Sequence, residues 1–130
     1  GPYRSLWPRW SPDGRLLAFF SRKDTGGEED EVYLWDPVVE ATQRVTDRAG
    51  HDYCPAWSPD GTRLVMASSG PGEDRSLRIT DLEGYELAVL AKDFARVNQP
   101  SWSPDGRGIV FSARTADDGN YELYRVEAPE

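Results

Sequence analysis

The sequence predicts an all-β fold: part of a β-propeller, with three four-stranded antiparallel blades, the last lacking its outer strand. Three observations carry this reading. The pentapeptide WSPDG stands at 10–14, 57–61 and 102–106, spaced 47 and then 45 residues apart. The same order of short β-rich runs follows each copy. No stretch carries the apolar i, i+3, i+4, i+7 spacing over the length a helix needs, and ten prolines spread along the chain oppose long helices. Repeats of about 40–45 residues with four short strands each are the mark of propeller blades.

Each element follows from its residues. A proline stands two residues before each motif tryptophan: Pro8 before Trp10, Pro55 before Trp57, Pro100 before Trp102. The tryptophan supplies a large apolar body for packing between layers. SPDG then turns the chain between the first two strands. Pro12, Pro59 and Pro104 take the first central position of a type I turn, where a fixed φ fits. Asp13, Asp60 and Asp105 take the second. Gly14, Gly61 and Gly106 follow at a left-handed φ that other residues resist. The motif is thus expected to be a folding element, not a ligand site. Second strands are read at LLAFF (16–20), LVMA (64–67) and IVF (109–111). Third strands are VYLWD (32–36), LRITD (77–81) and LYRVE (123–127). Fourth strands, TQRVT (42–46) and YELAVL (85–90), occur in the first two repeats alone. That makes eleven strands, in blades of approximately 6–47, 52–93 and 97–127 within a single domain, 1–130.

Composition narrows the function classes. An aromatic content of 12% marks a folded chain. The net charge of −8 would repel a phosphate backbone or an anionic membrane, so neither is an expected partner. No run of 18 apolar residues is present to span a bilayer. Cys54 is the sole cysteine, so no internal disulfide forms, and it reads as a small buried hydrophobe. No signal peptide is read. The opening Gly1-Pro2, without Met, looks like a protease scar, so the natural protein is expected to extend further.

The repeat resembles the TolB-type, WD-like propeller family. Its pattern is Pro, one residue, an aromatic, SPDG, a β-run, and later a short apolar strand ending in an acid. All three copies match, from about Leu6 to Glu127. The resemblance implies blades around a central channel, and rings of six or more blades. Periplasmic TolB binds partner proteins through its propeller. Related propellers cap the catalytic domain of prolyl-oligopeptidase-type serine peptidases. The resemblance therefore implies a bacterial protein-binding scaffold, with a periplasmic or extracellular location favoured. The alternative is part of a substrate-gating propeller from such a peptidase.

Three blades leave one apolar face bare at each end, and large bare patches find partners. Two copies related by a two-fold axis along the channel would close a six-bladed ring; a fragment of a longer propeller is the other reading. Loops sort onto two rims. One carries the SPDG hairpins with the turns at 36–41 and 81–84. The other carries the long, dissimilar loops at 22–31, 69–74 and 114–120, and the interblade links at 47–52 and 92–98. A protein or peptide partner is expected on this variable rim, at the channel mouth. His51, Asp52, Arg96 and Asn98 are the candidate contacts there; otherwise they only satisfy backbone groups in the links. One histidine cannot build a His-rich metal site. The run Glu28, Glu29, Asp30, Glu31 lacks the alternating ligand spacing of a calcium loop and reads as a solvated acidic loop. No G-x-S-x-G stretch and no phosphate loop occur. No catalytic residue, metal or cofactor is expected.

Overall fold

The computed structural model describes residues 4–47, 50–70, 75–115 and 119–130. Gly1-Pro2 and parts of the loops at 47–52, 69–74 and 114–120 lie outside the described residues. Eleven strands form three sheets, and each strand pairs antiparallel with its sequence neighbour. The first sheet holds β1 (Ser5–Trp10), β2 (Leu17–Ser21), β3 (Glu31–Asp36) and β4 (Ala41–Arg44). The second holds β5 (His51–Trp57), β6 (Arg63–Ser69), β7 (Arg75–Asp81) and β8 (Glu86–Leu90). The third holds β9 (Arg96–Trp102), β10 (Gly108–Arg114) and β11 (Glu122–Glu127), and so lacks a fourth strand among the described residues.

The three SPDG turns are near copies. The Ser11, Ser58 and Ser103 carbonyls accept the N–H of Gly14, Gly61 and Gly106, each at 2.9 Å. All three glycines sit at φ +75°, where a Cβ would be strained. In each turn the Asp Oδ1 accepts the serine hydroxyl, at 2.6, 2.7 and 2.6 Å. It also accepts the backbone N–H two residues on, at 3.0 Å. The aspartates hold the hairpins from within, as their spacing predicts.

Each first strand carries one further shared device. Trp7, Cys54 and Gln99 have φ of 58°, 53° and 51°, and each precedes a proline. The pairing register slips there in all three blades. Proline has no N–H to give the ladder, so a bulge takes up the break.

Blades meet through two seams. Ala18, Val32, Leu34 and Val45 of the first blade pack on Leu64 and Met66 of the second. Val65, Ala67, Leu77 and Ile79 pack on Val97, Trp102, Ile109, Phe111 and Ala113 of the third. Strand β6 therefore buries both faces, which is why its run Leu64–Ala67 is apolar without alternation. The first strands converge: β5 packs on both β1 and β9, whereas β4 and β8 pack chiefly within their own sheets. The channel axis accordingly runs beside the first strands.

The motif tryptophans stitch these seams. The Trp57 indole N–H donates to the Arg9 carbonyl at 2.9 Å, and Trp102 to the Ala56 carbonyl at 3.2 Å. In both cases the acceptor immediately precedes the tryptophan of the blade before. The turns stack likewise. A Cβ added at Gly61 would lie 3.7 Å from Cδ of Pro12, and one at Gly106 would lie 3.8 Å from Cδ of Pro59. Trp102 is buried and Trp57 half-buried. Trp10 departs from the expected packing between layers: it is 55% exposed, because no blade precedes it in the structure.

Candidate functional site

The variable rim holds a cleft of about 470 Å³ over the converging first strands. Arg22 leaves the end of β2, Arg75 opens β7 and Arg96 opens β9, so each blade sends one guanidinium into its wall. His51 and Tyr53, both from β5, line it as well, and Asp30 is its acid.

Polar contacts fix part of this wall. Arg22 Nε donates to Asp30 Oδ1 at 2.9 Å, and its Nη1 to the Gly27 carbonyl at 3.3 Å. The Asp30 N–H donates to His51 Nδ1 at 3.1 Å. The Tyr53 hydroxyl reaches the Val97 carbonyl at 3.3 Å, and desolvation pushes its pKa up. Arg75 and Arg96 have no acid within ion-pair distance among the described residues. Arg75 Nε is buried without a hydrogen-bond partner.

The candidates named from sequence divide here. His51 and Arg96 share the cleft. Asn98 stands off it: its Oδ1 takes the Cys54 thiol at 3.5 Å and the Gln99 N–H at 3.0 Å. Asp52 is fully buried and accepts the Ser68 hydroxyl. Arg22, Arg75 and Tyr53 were missed. No local signal marks them, because they stand on or beside different strands that only the packing of the blades brings together.

The acidic run also departs from expectation. Glu28 is exposed, Glu29 and Asp30 are half-buried, and Glu31 is fully buried. The Thr46 hydroxyl donates to Glu31, and Arg44 Nη2 stands 3.9 Å from it. These partners draw the carboxyl into the first blade. Burial raises its pKa to about 7; the Asp52 charge adds to the rise, while Thr46 and Arg44 oppose it. Cys54 is buried and its thiol is pushed up to about 11 by desolvation, consistent with a packing role. Among the described residues no group of three His, Cys, Asp or Glu side chains is gathered as for a metal ion, and no serine hydroxyl is hydrogen-bonded to His51.

Three radially set antiparallel sheets, first strands innermost and tryptophans bridging each seam, define a β-propeller. The family described as TolB beta propeller domain (PD40) matches residues 2–130, and the chain belongs to it. Among curated relatives, the protein named uncharacterized peptidase YuxL of Bacillus subtilis (strain 168) is 31% identical across 90% of this chain and 23% of its own length. Dipeptidyl-peptidase 5 of Porphyromonas gingivalis is 30% identical across 80% of this chain and 17% of its own. The crystal structure of TolB from Acinetobacter baumannii superposes with a TM-score of 0.79 at 23% identity, covering 95% of this chain and 30% of that one. The chain thus spans under a third of each.

Proposed function

We propose that this chain is a non-catalytic recognition module that binds a protein or peptide at its channel mouth, as part of a larger ring. The cleft on the variable rim carries the reading. It gathers side chains from all three blades at the point where the first strands converge, the usual place for recognition on a rigid scaffold. His51 and Arg96 are its proposed contacts, with Asn98 beside them. The TolB family membership favours a protein partner and a periplasmic or extracellular setting. A photo-cross-linker at position 96 tests this. It should capture a partner in the source cell, whereas one at position 38, on the opposite rim, should not. Equal capture at both positions would end the reading.

The ring itself is proposed from the unmatched end faces. Two copies would complete six blades. Light scattering should return twice the chain mass of 14.6 kDa; a monodisperse single-chain mass excludes the dimer. A second reading has a specific support. Both curated relatives described above bear peptidase names, so the module would gate peptide entry to a hydrolase domain. A hydrolase sequence following residue 130 in the full gene would favour it.

A further inference from the structure

We infer that the three-arginine cleft is a carboxylate-binding site, and that its ligand is an acidic peptide segment. This rests on the recognition reading above and names the chemistry of the partner. The chain has 23 acids against 15 lysines and arginines, so acids are not scarce. Yet the cleft holds three guanidiniums and a histidine against one carboxylate, Asp30. That carboxylate is already committed to Arg22 and faces His51 Nδ1 at 3.2 Å. Arg75 and Arg96 are left without an acid among the described residues. The buried Nε of Arg75 has no partner at all, and an unmade hydrogen bond at a buried charged donor is costly. Beside them, Arg114 pairs in register with Arg96 across β9 and β10. Its Nε is also buried without a partner, and its guanidinium lies 5.1 Å from the Tyr121 ring centre.

A guanidinium presents its N–H groups as a planar fork that matches the two oxygens of a carboxylate. A side-chain carboxylate entering the cleft would satisfy the donors that the chain leaves open. The flanking Tyr53 ring supplies apolar contact for the peptide around it. A long polyanion fits less well. The surrounding −8 charge repels an extended phosphate chain, while one or two carboxylates feel mainly the local cationic wall.

Calorimetric titration of the whole chain tests this with three probes: a blocked heptapeptide carrying two central glutamates, its glutamine counterpart, and the same peptide with two phosphoserines. The acidic peptide should bind at least tenfold more tightly than its amide counterpart, and more weakly at high salt. Arg75→Gln and Arg96→Gln should each cost about tenfold, and Arg75→Lys less than Arg75→Gln. Arg96 is exposed, so its variant keeps the test valid should Arg75→Gln misfold. Equal binding of acidic and amide peptides, or full binding by Arg96→Gln, overturns the inference; preference for the phosphopeptide overturns the carboxylate assignment. The cross-linked partner separates the two levels. Capture at position 96 that ignores added acidic peptide removes this inference and leaves the recognition reading. Acid-dependent peptide binding without any captured partner leaves the cleft's carboxylate chemistry standing and removes its assignment to a cellular protein partner.

Discussion

Single carboxyl groups show how position decides behaviour in this chain. Asp60 lies in water yet its pKa falls to about 2, first because the Ser58 hydroxyl donates to it, then because Thr62 does. A lowered folded pKa adds stability above the unfolded value of 3.8, and the gain is lost as pH falls through about 2. Solvent screens the effect, so Asp60→Ala should cost only about 1 kcal/mol in urea melts at pH 7. Glu31 behaves oppositely. Its raised pKa means stability is fully present below the unfolded value of 4.5 and declines as pH rises through about 7. Glu31→Gln keeps an acceptor for Thr46 and removes the charge. The variant should gain on the wild type between pH 5 and pH 8, by up to about 3 kcal/mol. Parallel curves for the two proteins would show that Glu31 ionises freely in the fold.

At the scale of elements, each blade seam repeats one indole hydrogen bond and one glycine–proline approach beside its apolar packing. Trp102→Phe deletes the donor to the Ala56 carbonyl and should cost about 2 kcal/mol in chemical unfolding. Trp10→Phe, at an exposed indole, should cost under about 0.5 kcal/mol in the isolated chain. Equal losses would mean that the indoles do not act through the seam. Gly84 offers a second probe. An added Cβ would overlap the Val45 carbonyl of the neighbouring blade, and φ is +96°, so Gly84→Ala should cost about 3 kcal/mol. These elements were largely readable in advance. Pro, Asp and Gly chemistry acts within five residues, so the SPDG hairpins could be drawn from the sequence; β-rich runs placed eight strands, and the hairpins implied the three first strands. The cleft was not readable. Arg22, Arg75 and Arg96 come from three blades, and only the packing of the blades brings them together. The inward turn of Glu31 and Asp52 was hidden for the same reason: each depends on a hydroxyl about 15 residues away, at Thr46 and Ser68.

The whole molecule joins an acidic exterior to a cationic mouth and two unlike end faces. At one end Trp10 is 55% exposed and Gly14 has no atom within 4 Å of a Cβ position. At the other, Ser101 and Pro104 hold the places that Arg9 and Pro12 hold for the second blade, and both are exposed. If copies associate through these faces, Trp10→Arg should abolish association while leaving the melting curve of the single chain unchanged. Persistence of the larger mass in that variant would place the contact elsewhere. The indole stitching also gives the strip a direction. The first blade's end presents the Trp10 indole and the last blade's end presents Ser101, so repeating the seam's hydrogen bond requires unlike ends to meet. Units joined this way all run head to tail. A strip that curves enough meets its own tail and stops; one that curves too little goes on adding units and becomes a fibre.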